Sequence, residues 1–205
     1  HLPDEIRGVI VGNEVLDAMP ARLLAFDGAR WQERGVALHE GRFTFADTPT
    51  DDRPPFEGPF APGTVTEIHP QAEAFVATLA ERLQRGLALF IDYGFPEAEY
   101  YHAQRSEGTL MCHRAHLADT NPLVDVGRKD ITVHVNFSAI ALAAQDAGLD
   151  VLGYTSQGRF LLNCGLPGLL QAASTTEVAR AQTLIAEHEM GELFKVLGLA
   201  RGITL

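Results

Sequence analysis

The sequence predicts an α/β protein built on a parallel sheet, and three segments carry this prediction. Residues 9–11 form a short apolar run that stops abruptly at polar residues, and residues 87–91 form a second run of the same kind. Between them, apolar residues at helical spacing predict a helix over residues 72–83. Two covered strands linked through a helix are typical of a parallel crossover.

Polar side chains follow both runs. Asn13 and Glu14 follow the first, and Asp92 and Tyr93 follow the second. Ligands bind beyond the carboxyl ends of parallel strands, so we expect Asn13, Glu14 and Asp92 to converge on one cleft. Plainer interpretations stay open, because Glu14 also suits the start of a helix and Asp92 also suits a turn.

The remaining elements follow from periodicity and turn residues. We predict a helix over 14–24, a hairpin over 31–46 that turns at His39-Glu40-Gly41, a loop over 48–63, a helix end at Gly86, a helix over 137–147 capped by Asn136 or Ser138, a hairpin of 150–154 with 159–163, and a helix after a capping box at 174–177. Glu67 is interpreted as part of the helix start at Pro70. Residues 95–136 show no long periodic element, which is typical of a lid or binding loop.

Composition narrows the function classes. The chain has 205 residues, is 46% hydrophobic and carries a formal net charge of −11. A sizeable core is therefore expected, and the absence of a Lys/Arg stripe argues against nucleic-acid binding. Two cysteines, Cys112 and Cys164, indicate a reducing compartment without a disulfide framework. The apolar runs are far shorter than the ~20 residues of a membrane span.

Six short motifs occur in a recognisable order: GNEVLDAMP, GTVTEIHP, IDYGFP, GTLMCHRAH, GRKDITVHVNFS and SQGRFLLNCG. Together they closely resemble the MidA-like family of S-adenosylmethionine-dependent methyltransferases, whose mitochondrial relatives are protein arginine methyltransferases that assist assembly of respiratory complex I. The resemblance extends from about residue 8 to about residue 198. It implies a class I (Rossmann-like) methyltransferase sheet with an antiparallel last strand, an inserted hairpin and a long lid loop.

The resemblance also implies a domain organisation. In that family a Gly-rich cofactor turn precedes the NExxDA stretch, and no such turn occurs before Val9. Residues 1–205 are therefore expected to be the C-terminal part of one methyltransferase domain, with substrate-side insertions at 27–66 and 95–136. A polypeptide that begins at His1 is expected to be poorly stable or aggregated, because residues 9–11 would lack strand partners on one side.

The implied reaction is methyl transfer from S-adenosylmethionine to a protein, with an arginine of a respiratory-complex (NADH dehydrogenase) subunit as the expected target. Such a transfer depends mainly on positioning, and a carboxylate can hold a planar guanidinium through two hydrogen bonds. Glu14 is the candidate clamp, and Asp17 is a second catalytic candidate that equally suits a capping role. Asn13 and Glu14 are the candidate cofactor contacts.

Further residues are candidates for contact with the substrate. Asp92, Tyr93, Asp130 and Asn136 are the expected substrate-binding residues. His134 is a candidate catalytic residue, because it could accept a proton as the guanidinium loses charge. The alternation of DITVHVNF equally predicts a strand whose polar face carries His134 and Asn136.

Two other kinds of function are alternatives to methyl transfer: a metal-dependent one and a non-catalytic assembly module. Cys112, His113 and His116 are close in sequence but match no closed zinc spacing, so no metal site is predicted. A non-catalytic assembly module that holds a partner subunit is the alternative function. The expected partners are a protein substrate and, as a further option, a second copy in a homodimer, with no nucleic acid. The expected location is the cytoplasm of a bacterium or the mitochondrial matrix of a eukaryote.

Overall fold

A computed structural model of the chain describes residues 2–115 and 117–203. The strands in this part are β1 (Ile6–Asn13), β2 (Arg22–Phe26), β3 (Trp31–His39), β4 (Arg42–Pro49), β5 (Val65–Ile68), β6 (Leu83–Phe95), β7 (Met111–Arg114), β8 (Leu117–Asp119), β9 (Asp130–Thr132), β10 (Val135–Asn136), β11 (Asp150–Ser156) and β12 (Phe194–Arg201). The helices are α1 (Pro70–Arg82), α2 (Glu97–Tyr100), α3 (Phe137–Asp146), α4 (Gln157–Asn163), α5 (Leu166–Leu170), α6 (Thr175–Ile185) and α7 (Met190–Leu193). Among the described residues, no helix combines the length and the apolar character needed to cross a bilayer.

The chain forms two compact units. Unit one comprises His1–Leu16, Phe75–Gly94 and Ile140–Leu205. Unit two comprises Asp17–Ala74 and Phe95–Ala139. Both segments that the sequence marks as insertions, 27–66 and 95–136, therefore lie in unit two.

Unit one is built on strands in the order β1, β6, β12, β11. β1 runs parallel to β6, with Asn13 opposite Ile91, which confirms the predicted parallel pair. β12 runs antiparallel to both of its neighbours, β6 and β11. Phe90 of β6 and Leu199 of β12 are at most 2% exposed, so the centre of this sheet forms the core of the unit.

The first apolar run is exposed in the part of the chain that the structure describes. Val9 and Val11 are 65% and 62% exposed. Among the described residues, β1 stands at one end of the strand order and pairs with β6. β6 has a strand partner on each side. The burial predicted for residues 9–11 stays a prediction for the protein that contains this chain.

The predicted helix over 72–83 is confirmed by α1, but Gly86 does not end it. β6 begins at Leu83, directly after α1, and Gly86 lies within the strand opposite Gly8. The φ angle of Gly86 is +147°, and a Cβ there would lie 1.8 Å from the carbonyl oxygen of Gly8. A glycine is required at position 86 because two backbones approach closely in a conformation that side chains disfavour.

The predicted C-terminal hairpin is also wrong. Residues 157–163 form helix α4, and the partner of β11 is the distant strand β12. The side-chain amide of Gln157 donates to the backbone carbonyl oxygen of Leu184 at 2.9 Å, which connects α4 to α6. The capping box is confirmed, because Ser174 and Glu177 exchange side-chain and backbone hydrogen bonds at the start of α6.

Unit two contains an antiparallel sheet in the order β4, β3, β2, β5. The predicted hairpin is confirmed, and both turn residues have positive φ angles, +48° for Glu40 and +76° for Gly41. The predicted helix over 14–24 is wrong, because residues 22–26 form β2. Leu24 is fully buried and β2 pairs on both sides, so the sheet outweighs a weak local helical pattern.

Residues 95–136 contain more structure than predicted. They form α2, the short strand β10 and a three-stranded sheet in the order β8, β7, β9. These elements have two to four residues each, which is too short to produce a visible period. The helix predicted over 137–147 is confirmed by α3, and the side-chain oxygen of Asn136 accepts the N–H of Ala139 at 3.2 Å.

An aromatic cluster packs within unit two. The ring of Trp31 lies 5.0 Å from that of Phe26 and 4.8 Å from that of Phe60, in tilted and edge-on arrangements. Phe56 and Tyr101 extend the cluster. Such contacts stabilise loop residues 56–60, which have no strand or helix of their own.

We predict that Gly86→Ala in the full-length protein lowers the free energy of unfolding by about 2–4 kcal/mol, because it combines backbone strain with a steric clash. Gly8→Ala is the matched control, since Gly8 has a φ of +151° but open space where a Cβ would lie. It should cost about 1–2 kcal/mol. Equilibrium urea denaturation measures both, and equal losses would show that the clash contributes nothing.

Candidate active site

Glu14 adopts a left-handed backbone conformation directly after β1. Its φ is +50°, which is uncommon for residues other than glycine and recurs at functional sites. The N–H of Glu14 donates to the carbonyl oxygen of Ile91 at 2.9 Å. The amide of Asn13 donates to Glu14 Oε1 at 3.3 Å, and both side chains are exposed. The turn therefore displays a carboxylate at the end of a parallel strand.

Asp92 is the buried counterpart of this turn. It is 1% exposed, and its Oδ2 accepts the N–H groups of Val15 at 3.2 Å and Leu16 at 2.9 Å. Oδ1 accepts the N–H of Tyr93 at 3.0 Å. The structure brings Asp92 beside the Glu14 turn, but the Asp92 carboxylate accepts hydrogen bonds from backbone N–H groups of unit one. These contacts favour a positioning role over the predicted direct contact with substrate.

Tyr93 continues β6 beyond Asp92. Its side chain is half-buried, and its ring meets that of Phe194 edge-on with centroids 5.4 Å apart. Packing against β12 fixes the ring direction. The proposed role in substrate binding stays a prediction.

In unit two, sequence reasoning missed the main polar group, Glu67. Glu67 is fully buried, and Oε1 accepts the N–H groups of Thr109 at 2.7 Å and Leu110 at 3.0 Å. Oε2 accepts the hydroxyl groups of Tyr100 at 2.9 Å and Thr109 at 3.2 Å. His69 Nε2 lies 3.1 Å from the Tyr100 hydroxyl. The available sequence signal was the β-branched set Val65, Thr66 and Ile68, which is typical of a strand and places the carboxylate of Glu67 before the helix start at Pro70.

Burial shifts the titration of this network. It raises the pKa of Glu67 against the opposing effect of its hydrogen bonds. Burial and the adjacent Glu67 raise the pKa of Tyr100. Burial alone lowers the pKa of His69 to about 4. His69 is therefore neutral near pH 7, and the network holds residues 109 and 110 in place by hydrogen bonds.

His134 lies in an aromatic stack. Its ring is parallel to that of Phe95, with centroids 5.2 Å apart, and the guanidinium carbon of Arg105 lies 4.1 Å from the Phe95 ring centroid. The backbone N–H of His134 donates to Thr109 Oγ1 at 3.0 Å. Burial, followed by the positive charge of Arg105, lowers the pKa of His134 to about 4. A base of that pKa accepts protons poorly at neutral pH.

The other predicted residues of unit two differ in exposure. Asp17 is 3% exposed, and its carbonyl oxygen accepts the N–H of Val133 at 3.0 Å. Asp130 is exposed on β9. Asn136 is 1% exposed and caps α3, which favours a structural role over the predicted substrate contact. The catalytic role of Asp17 and the substrate-binding role of Asp130 stay predictions.

Unit two contains two cavities near these residues. One of about 480 Å³ is lined in part by Glu67, Arg105, Thr109 and His134. The other, of about 550 Å³, is lined mainly by apolar side chains together with Asp17. The first combines cationic, aromatic-stacked and hydroxyl groups, so it could accept a polar side chain.

Within residues 2–115 and 117–203, no group of three His, Cys, Asp or Glu side chains could hold a metal ion. Cys112 is fully buried, and His113 pairs with Asp130 across β7 and β9. His116 lies outside the described residues. The predicted absence of a metal therefore stays a prediction for the whole chain.

A parallel strand pair that displays a carboxylate, next to an antiparallel last strand, fits the α/β class of methyl-transferring domains. A profile of a family of S-adenosyl-L-methionine-dependent methyltransferases matches residues 1–155. The chain belongs to this family. The resemblance to MidA-like proteins is thereby confirmed.

Two solved structures and one curated protein are similar to the chain. A COG1565 superfamily member from Burkholderia thailandensis, bound to S-adenosyl-homocysteine, is 50% identical with a TM-score of 0.94 over 100% of this chain and 56% of its own. A native structure of a COG1565 superfamily protein from the same bacterium is also 50% identical, with a TM-score of 0.93 over 100% of this chain and 58% of its own. The mitochondrial protein arginine methyltransferase NDUFAF7 homolog of Drosophila melanogaster is 27% identical over an alignment of 215 positions, which covers 95% of this chain and 47% of that protein. The chain thus spans about half the length of these relatives.

We expect the two buried histidines to make stability depend on pH. The pKa values of His69 and His134 fall from 6.5 to about 4 on folding, so the unfolded chain binds protons that the folded chain excludes. Their contribution is present above pH 6.5 and is lost as the pH falls towards about 4. Glu67, whose pKa is raised, acts in the opposite direction as the pH falls.

His134→Gln isolates one histidine from these opposing effects. Between pH 6.5 and 4.5, the unfolding free energy of this variant should depend on pH less steeply than that of the wild type. The difference between the two slopes should correspond to at most one proton taken up on unfolding. Urea denaturation at closely spaced pH values provides the slopes. Superimposable slopes would mean that His134 titrates alike in both states.

Proposed function

We propose that the protein containing this chain transfers a methyl group from S-adenosylmethionine to an arginine of a protein substrate. Family membership and the arginine methyltransferase of Drosophila support the reaction. A subunit of respiratory complex I is the proposed target, on the resemblance to MidA-like proteins. The proposed location is the bacterial cytoplasm or, as in the mitochondrial relative, the matrix. A homodimer stays a further prediction.

The exposed carboxylate of Glu14 carries this proposal. A guanidinium needs a carboxylate that can accept two N–H groups in one plane. The hydrogen bond from Asn13 occupies one side of Oε1, and no described residue donates to Oε2, so accepting lone pairs are left for a substrate. The left-handed turn sets the direction in which the Cα–Cβ bond of Glu14 leaves the backbone before any ligand binds.

Asn13 and Glu14 are also the residues of this chain that would contact the cofactor. Both are exposed polar groups just beyond a parallel strand, where α/β folds bind ligands, and so they suit the hydroxyl and amino groups of such a molecule. When bound, S-adenosylmethionine supplies an electrophilic methyl group on a sulfonium. Glu14 would orient the attacking nitrogen, which would form the N–C bond as the S–C bond of the sulfonium breaks to leave S-adenosylhomocysteine. The methylated nitrogen would then lose one proton to bulk water.

We predict that Glu14→Gln lowers methyl transfer by at least about 100-fold, because an amide offers one accepting oxygen, whereas two parallel N–H groups of a guanidinium pair with the two oxygens of a carboxylate. The assay is incorporation of labelled methyl from S-adenosylmethionine into purified complex I by the full-length protein. Glu40→Gln is the matched control, since Glu40 is another exposed glutamate with a left-handed φ of +48°. It should keep the wild-type rate.

Binding of S-adenosylhomocysteine, measured by calorimetry on the same proteins, separates the possible outcomes. Retained binding with lost transfer in Glu14→Gln supports the clamp and removes Glu14 from cofactor binding, whereas loss of both supports a cofactor contact by Glu14. A full rate in this variant would remove Glu14 from catalysis. A wild-type protein that neither binds S-adenosylhomocysteine nor transfers methyl would favour the non-catalytic assembly module.

A separate prediction concerns His134. Since its pKa is about 4, it should not be the proton acceptor at neutral pH. His134→Gln should therefore keep methyl transfer within about threefold of wild type at pH 7.5. A rate profile over pH 6–9 checks this, and a loss of about 100-fold would restore His134 as a catalytic base.

A further inference from the structure

We propose that Asp92 is a positioning residue for catalysis: its buried carboxylate holds the left-handed turn that aims Glu14. This inference rests on the proposed function, because the role of Glu14 as the clamp is part of it. Asp92 itself contacts backbone groups and has almost no exposed surface. It would therefore act through Glu14 and would not touch the substrate.

The hydrogen bonds of Asp92 fall on the residues that immediately follow Glu14. One oxygen accepts the N–H groups of both Val15 and Leu16. The N–H of Glu14 itself bonds to Ile91, the residue before Asp92. Three successive N–H groups are thus fixed to the end of β6. A chain held at consecutive residues has little freedom to leave the φ of +50°.

The turn is constrained from its other end as well. Gly12 packs against Phe90, and a Cβ at position 12 would lie 2.9 Å from the ring. The backbone before Glu14 is therefore seated on the core of unit one. Together, Gly12 and Asp92 hold both sides of a single displayed carboxylate.

A carboxylate is needed at position 92 because both of its oxygens accept hydrogen bonds. Oδ2 accepts two N–H groups, and Oδ1 accepts the N–H of Tyr93. An asparagine would replace one acceptor by an NH₂ donor, which would face an N–H group at close range. Water cannot relieve the mismatch easily, since the side chain is 1% exposed. The isosteric change Asp92→Asn should therefore loosen the turn.

The test compares four forms of the full-length protein: wild type, Asp92→Asn, Glu14→Gln and the double variant. Methyl transfer to purified complex I gives kcat and KM, and calorimetry gives the affinity for S-adenosylhomocysteine. We expect Asp92→Asn to lower kcat about 10- to 100-fold. Its affinity for S-adenosylhomocysteine should fall no further than that of Glu14→Gln, because the turn that Asp92 holds also carries the proposed cofactor contacts. The double variant should be no slower than Glu14→Gln, because Asp92 acts through Glu14.

Asp150→Asn is the control, since Asp150 is an exposed acid at the start of β11 in the same unit. It should match the wild type. A wild-type kcat in Asp92→Asn would overturn the proposal. Multiplicative losses in the double variant would do the same, because they would show that the two residues act independently.

A second readout does not depend on activity. Amide hydrogen exchange and backbone chemical shifts of residues 13–16 should change in Asp92→Asn, with faster exchange at Val15 and Leu16. Unchanged exchange would overturn the positioning role even if the protein proved to be no methyltransferase. A wild type without transfer, but with altered exchange in the variant, would instead refute only the proposed function. If Asp92→Asn fails to fold, Asp92→Glu, which keeps the charge and displaces it, replaces it with the same criteria.

Discussion

The hydrogen bonds of the Asp92 carboxylate are the constraint on which the candidate site depends. They join the end of β6 to the turn after β1, so the parallel pair ends in a fixed geometry. A buried carboxylate is costly unless its oxygens are paired, and here the cost is offset by three backbone N–H groups. One acid thus holds the backbone, and the neighbouring acid, Glu14, is exposed.

Much of the sheet of unit one could be predicted from local pattern. The apolar run at 87–91 indicated a central strand, and β6 does lie between β1 and β12. The errors share one physical cause, which is that the deciding partner is distant in sequence. β2 is a strand because β3 and β5 flank it, β11 pairs with β12 instead of the adjacent segment, and Gly86 is fixed by Gly8.

The candidate site shows the same division. Residue type and position identified Glu14 and Asp92, but which of them is displayed depends on burial, which local sequence does not encode. Glu67 was interpreted as a helix-start residue because its partners, Tyr100 and Thr109, lie on a later segment. A buried acid with four donors becomes visible only when the segments meet in three dimensions.

The aromatic cluster of unit two has a practical consequence for folding experiments. The chain has one tryptophan, Trp31, which packs between Phe26 and Phe60 in that unit. Within this chain, its intrinsic fluorescence therefore reports on unit two and does not report on the sheet of unit one, whose strand β1 precedes Glu14. Circular dichroism averages over both units, so a mismatch between the two optical signals during denaturation would reveal that the units lose their structure separately.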